Sequence, residues 1–273
     1  MHPWLIYPYI SMYGLCIVAG LVAAWIWARG NAGRQGMDAS RIDLLVPLLA
    51  GTGMLGAWLF GAWTDAATGE ESHAAVLVGS LLFATAAGIF YGVMVHVPLG
   101  TLGDICASPL ALGIGIGRVG CFFAGCCYGK VCTHPTVFMA IQFPTGSIPF
   151  LAQVRAGELS SDACASLAVY PVQLYESFLC VLLALAVWRM ARRREWLSGE
   201  LFLSVGFGYG AIRFILEFFR GDNPPIHSMT FSQWITLAIA ALAAITLAIR
   251  RRWSAQLGLR ELGPSSCDYP TRA

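Results

Sequence analysis

Apolar residues run in long blocks along this chain, separated by short polar stretches. A membrane span takes about 20 consecutive apolar residues, and seven blocks approach that length: residues 10–28, 44–63, 74–95, 102–123, 172–190, 199–219 and 232–249. Most lack the polar face that a helix in a soluble bundle turns to water, so lipid is the solvent that fits them. The fourth block is the least regular. Asp104 and Arg118 lie near its ends and glycines crowd its second half, which predicts either a tilted helix or a partly re-entrant one. The whole pattern predicts an all-α, polytopic membrane protein of seven transmembrane helices. Its membrane domain covers residues 1–249, with an extracytoplasmic loop segment at 124–171 and a flexible tail at 250–273.

Lys and Arg orient the blocks, because cytoplasmic loops are enriched in them. Arg29, Arg34 and Arg41 fall between blocks one and two; Arg189, Arg192, Arg193 and Arg194 close block five; Arg250, Arg251 and Arg252 follow block seven. Seven spans put all three clusters on one side, and an even number breaks that agreement. The expected topology is N-terminus outside and C-terminus in the cytoplasm. Loop 64–72 carries Asp65, Glu70 and Glu71 and no basic residue, as an outer loop does. Composition agrees: 57% of residues are hydrophobic and 12% charged, against roughly 25% charged in a soluble domain. The net charge of +2 is too small to point to nucleic acid. The first block follows no basic n-region and precedes no A-x-A site, so it is expected to stay as a helix.

Three polar motifs interrupt the apolar blocks. In block six, Tyr209, Arg213, Glu217 and Arg220 are spaced by four, four and three, which places them on one helical face. A charge inside a span costs at least about 2.5 kcal/mol, so this stripe faces a cavity or a partner. Either Arg213 and Glu217 neutralise each other and Arg220 snorkels, or a guanidinium is offered to an anion such as a phosphate. The stretch from Gly117 to Lys130 brings Arg118 to the outer end of block four, with glycines at 117, 120, 125 and 129. It also carries Cys121, Cys126 and Cys127, with Cys132 just beyond. These thiols suit disulfides, plain packing or a metal; the Cys-x4-Cys-Cys-x4-Cys spacing is not a standard zinc pattern, and only His134 falls near it. Tyr170 through Glu176 opens block five with Pro171, Gln173, Tyr175 and Glu176, either as an aromatic-belt anchor or as part of a site. Tyr13 and Tyr91 stand inside otherwise apolar blocks. Two arginines carried by different helices toward the outer half of the bilayer suit a phospholipid head group.

Together these segments resemble the bacterial phosphatidylglycerol–prolipoprotein diacylglyceryl transferase family from about Tyr13 to Asp222. The family's Gly-Arg-x-Gly-Asn-Phe looks like Gly117 to Phe122, its later glycine like Gly129, its His-Pro-x-Gln-Leu-Tyr-Glu like Tyr170 to Glu176, and its Tyr-Gly-x-x-Arg-x-x-x-Glu like Tyr209 to Glu217. Tyr13-Gly14 matches the Tyr-Gly of the first span. Four positions depart: Tyr91 stands where the family has a histidine, Cys121 and Cys126 replace an asparagine and a glutamate near Arg118, and Tyr170 replaces the histidine before Pro171.

The resemblance implies transfer of the diacylglyceryl group of phosphatidylglycerol to the lipobox cysteine of a prolipoprotein signal peptide, at the bacterial inner membrane, without a cofactor. The catalytic set it implies is Arg118, Arg213, Glu217, Tyr91 and Tyr209; Tyr13, Gly129, Gln173, Tyr175 and Glu176, with Arg118, belong to substrate binding. Arg118 and Arg213 are expected to hold the leaving phosphate, while Tyr91, a poor base at neutral pH, takes the histidine's place. The alternative is a non-catalytic or differently reacting lipid-binding paralogue that works through its cysteine cluster, as thiol, disulfide or metal site. A transporter or channel fits less well, since the polar residues gather toward one membrane face.

Overall fold

A computed structural model of the protein describes residues 4–6, 10–68, 73–132, 140–192, 196–221 and 229–256. Glu70, Glu71, His134, Arg193, Arg194 and the tail beyond Gln256 lie outside the described residues. Each apolar block becomes a helix: α1 (Met12–Arg34), α2 (Ser40–Thr68), α3 (His73–Met94), α4 (Leu99–Ala124), α6 (Val172–Ala191), α7 (Glu200–Glu217) and α8 (Phe231–Gln256). The loop segment contains a further short helix, α5 (Ile148–Arg155), and a two-stranded hairpin, β1 (Trp4–Ile6) and β2 (Ile10–Ser11), precedes α1. Neither was expected from the sequence. Eight residues and two paired strands are below the length at which periodicity separates an element from a loop.

Among the described residues, α1, α2, α4, α6 and α8 are long and apolar enough to cross a membrane. The apolar part of α3 runs over Val78–Met94, and α7 carries Glu200, Arg213 and Glu217 within its 18 residues. Val18, Trp58, Phe178 and Leu242 are each more than half exposed, which only an apolar solvent tolerates on this scale. The chain is a helical, multi-pass membrane protein.

α4 is its central helix: half of its apolar stretch is buried, against 11–22% for the other four. It packs on α1, α6 and α7, while α2 and α3 pair chiefly with each other and α7 with α8. The irregular fourth block is thus one continuous helix of 26 residues, and its odd residues have partners. Pro109 lacks an N–H, so it leaves the carbonyl of Ile105, four residues back, without its helical donor. Asn31 of α1 supplies one, its Nδ2 donating to that oxygen at 3.0 Å. Asp104, 4% exposed, accepts from the backbone N–H groups of Gly199 (2.6 Å) and Phe202 (3.1 Å). It therefore caps the N-terminus of α7, whose own N-cap residue is a glycine without a capping side chain. Both polar residues are needed because no water in a bilayer satisfies a bare backbone group.

The ends of two blocks move. α7 stops at Glu217, so Arg220 leaves the helix, whereas α8 runs on to Gln256 and carries Arg250, Arg251 and Arg252 as helix rather than as the start of a tail. Arg251 pairs with the buried Glu200 at the start of α7. Charge near a helix end is satisfied there by a neighbour, not by an unstructured segment.

Candidate functional site

The three polar motifs meet where α4 ends, α6 begins and α7 ends. Gly125 terminates α4 in the left-handed region (φ 74°), a conformation glycine adopts without steric cost. The Gly125 N–H bonds to the Phe122 carbonyl and the Cys126 N–H to the Cys121 carbonyl, both at 3.2 Å, the pair of bonds that defines a Schellman turn. The chain then runs extended from Tyr128 to Cys132. On one side Lys130 N–H bonds to Phe219 O (2.8 Å) and Gly221 N–H to Tyr128 O (3.2 Å); on the other Gly129 N–H bonds to Tyr170 O (3.0 Å). Gly129 is required here because a Cβ on it would stand 2.5 Å from the Tyr170 oxygen and 2.8 Å from Val172 Cγ2. Gln173, in the first turn of α6, fastens the turn by donating to the Cys126 carbonyl at 2.8 Å.

This clamp brings the charges together. Glu176, 1% exposed, takes Arg118 Nε of α4 at 3.0 Å and lies 3.7 Å from a terminal nitrogen, NH1, of Arg213 of α7. Tyr209 donates to the same carboxylate at 3.1 Å. The other terminal nitrogen of Arg213, NH2, pairs with Glu217 at 2.8 Å and donates to Ser232 Oγ at 3.2 Å. Glu217 also lies 3.8 Å from Arg220 and accepts from Thr230 Oγ1 at 3.0 Å. Arg213 and Arg220 are 7% and 8% exposed. Arg213 NH1 is buried and has no hydrogen bond among the described residues. A buried guanidinium nitrogen without an acceptor is costly, and an anion removes that cost.

The model of the family described as prolipoprotein diacylglyceryl transferase matches residues 5–249 of this chain. The chain belongs to the prolipoprotein diacylglyceryl transferase family. Proteins named phosphatidylglycerol–prolipoprotein diacylglyceryl transferase are similar to it in several bacteria. The one from Geobacter sulfurreducens is 29% identical over 228 residues, covering 76% of each chain. That from Xanthomonas oryzae pv. oryzae is 30% identical over 276 residues, covering 89% of this chain and 88% of its own; that from Rhizobium meliloti is 28% identical over 251 residues, covering 84% and 82%.

Within this family member, the residues singled out from sequence divide. Arg118, Glu176, Tyr209, Arg213 and Glu217 share one network, with Gln173 and Gly129 holding its backbone. Tyr13 lies beside it, its ring edge 3.3 Å from where a Cβ on Gly120 would sit. Tyr175 follows a different face of α6, about 100° from Glu176, on the side of Cys132. Tyr91 is not brought to the site. Its hydroxyl donates to the Arg41 carbonyl at 2.7 Å, and its ring packs with Ala28, Ala32, Met37 and Ile42 where α1 passes to α2. The neighbouring Gly92 faces Leu99 and Leu102, and Arg118 lies 16 residues farther along α4, about 24 Å away.

Cys121, Cys126 and Cys127 gather beside Arg118, their sulfurs all within 4.8 Å of one another, whereas Cys132 is not in the group and faces Tyr170. Hydrogen bonds with Cys121 and Cys126 hold the Cys127 thiol well below its ordinary value, with Arg220 and Arg118 adding to the effect, while hydrogen bonds with Cys121 and Cys127 push Cys126 up. Two partners escaped the sequence, Thr230 and Ser232. Their signal was legible: Thr230-x-x-Gln233 before an apolar run is a capping box, and the two residues exchange bonds at 2.8 and 3.2 Å.

Proposed function

We propose that this chain transfers the diacylglyceryl group of phosphatidylglycerol to the lipobox cysteine thiol of a prolipoprotein, at the outer face of a bacterial inner membrane that it crosses seven times. The N-terminus is then outside and the C-terminus cytoplasmic. The observation that carries this is Glu176 gripping an arginine from each of two helices. Arg118 and Arg213 are thereby held side by side, and one buried guanidinium nitrogen of Arg213 makes no hydrogen bond among the described residues, which suits the negative charge of a phosphodiester. The site lies at the ends of α4 and α7 and the start of α6, opposite the end that carries Arg29, Arg41, Arg189 and Arg251. With the basic end in the cytoplasm, the arginines sit just below the outer head groups. As the thiolate attacks the glycerol carbon and glycerol phosphate departs, charge grows on the phosphate oxygens, and preorganised guanidinium donors stabilise that growth. Tyr209 and Glu217 hold the arginines in place.

The test is lipoprotein maturation in cells depleted of their own transferase. Expression of this chain restores it; Arg213→Ala does not, and Arg213→Lys restores it weakly because a lysine cannot make the forked contact. Failure of the unsubstituted chain, expressed and folded, rejects the activity and favours the lipid-binding paralogue.

A further inference from the structure

The acceptor thiol must lose its proton, and nothing in the arginine network is placed to take it. Glu176 and Glu217 are both held by arginines, and Tyr91 lies at the far end of α4. Beside the network, however, stand three thiols from one turn. We propose that Cys121, Cys126 and Cys127 bind one zinc ion, which takes the acceptor cysteine of the prolipoprotein as its fourth ligand. The metal site stands on its own geometry; the identity of the fourth ligand rests on the transferase reading above.

Zinc–thiolate bonds of about 2.3 Å in a tetrahedron put sulfurs about 3.8 Å apart. The three sulfurs here, all within 4.8 Å of one another, need to close by no more than about an ångström. The backbone is shaped for this. The Schellman turn folds Cys126 back over Cys121, and Cys127 itself is held at φ 61°. A non-glycine residue in that region costs about 1–2 kcal/mol. Such conformations persist where the surroundings impose them, and they concentrate at functional sites. Among the described residues no fourth Cys, His, Asp or Glu completes the set. Three protein ligands with one position open is the pattern of a reacting zinc, whereas structural zinc is closed by four.

Charge and position agree. Zinc with three thiolates carries −1, and a fourth thiolate brings it to −2. Arg118 offsets this, its terminal nitrogen NH1 donating to Cys127 Sγ at 3.6 Å. The same guanidinium holds Glu176 in the phosphate site, so one side chain spans nucleophile and leaving group. In the reaction, the acceptor S–H gives its proton to water as its sulfur binds zinc. The thiolate then forms the C–S bond to the glycerol carbon as the C–O bond to phosphate breaks. The electron pair leaves on the phosphate oxygen beside Arg118 and Arg213. No group changes oxidation state, and the thioether product, a weaker ligand, departs.

The test uses the purified full chain. Expected is about one zinc per chain, reduced to near none by Cys121→Ser, Cys126→Ser or Cys127→Ser and kept in Cys164→Ser, which alters an exposed cysteine outside the cluster. Cobalt in place of zinc gives thiolate charge-transfer absorption and tetrahedral visible bands. A lipobox peptide shifts those bands, and its Cys→Ser counterpart does not. A chain that binds neither metal, or whose mass after alkylation shows a disulfide among the three, overturns the site; bands indifferent to the peptide overturn the thiol's place on it. The cell rescue is a separate readout. Rescue without zinc leaves the transferase reading standing and removes this one, while zinc without rescue does the reverse.

Discussion

Replacing Glu176 by glutamine removes the group that joins the two halves of the arginine cluster. The wild-type side chain, 2% exposed, accepts from Arg118 at 3.0 Å, from Tyr209 at 3.1 Å and lies 3.7 Å from Arg213. Glutamine keeps the volume and one oxygen but removes the negative charge that faces both Arg118 and Arg213. Removing one partner of a buried ion pair costs about 3–5 kcal/mol, and the retained oxygen argues for the lower end. A chain of this size moves its unfolding midpoint about 2–4 °C per kcal/mol, so Glu176→Gln should lower it by about 6–12 °C in detergent with neutral lipid. Phosphatidylglycerol should return part of that loss. An added charge-assisted bond to the phosphate is worth about 1.5 kcal/mol, so the variant should gain about 3–6 °C more from the anionic lipid than wild type does. Thermal unfolding of the purified protein, followed in both lipids, measures each term. An unchanged midpoint would refute the bridging role. A deficit of equal size in neutral and anionic lipid would refute the claim that the arginines receive a phosphate.

The remaining expectations concern the frame of the site. Gly129→Ala forces a Cβ to 2.5 Å from Tyr170 O and should cost about 1–3 kcal/mol, read as a lowered midpoint together with lost rescue. Tyr91→Phe deletes one hydrogen bond to a carbonyl, costs about 1 kcal/mol and should leave rescue intact; lost rescue at a near-native midpoint would return Tyr91 to the chemistry. Asn31→Ala strands the Ile105 carbonyl that Pro109 leaves open, at about 1–3 kcal/mol. Pro109→Ala in the same chain restores the helical donor, so the double variant should be more stable than Asn31→Ala alone, as a double-mutant cycle measures.

Helix positions were legible because lipid imposes a length and a composition that a simple window detects: each of the seven blocks is a helix, and five of these are long and apolar enough to cross a membrane. The spacing of Tyr209, Arg213 and Glu217 was legible for a like reason: a helix fixes which residues share a face. What stayed hidden depended on partners distant in sequence. Asp104 read as a blemish in block four because its use, capping α7, lies 95 residues away. Glu176 read equally well as part of an anchor, since nothing in Pro171–Glu176 says which helices α6 meets. Arg220 read as the next step of the α7 stripe, yet it leaves the helix to pair its backbone with Gly129.

Tyr91 shows the limit from the other direction. Resemblance assigned it by position in a motif, while its hydrogen bond places it among the residues that join α1 to α2. A motif aligns the chain, but the direction a side chain takes is decided by what packs against it, and here Arg41 offers a carbonyl at 2.7 Å. The cysteines make the opposite case. Their spacing matched no metal pattern because linear patterns assume a regular turn between ligands. The left-handed residues Gly125 and Cys127 instead fold the seven residues from Cys121 to Cys127 onto one spot. The two substitutions that depart from the family near Arg118, Cys121 and Cys126, converge on that spot with Cys127, against the arginine that also touches Glu176. Independent drift has no reason to gather three sulfurs within 4.8 Å of one another with one of them 3.6 Å from a guanidinium. A site that handles sulfur next to phosphate does.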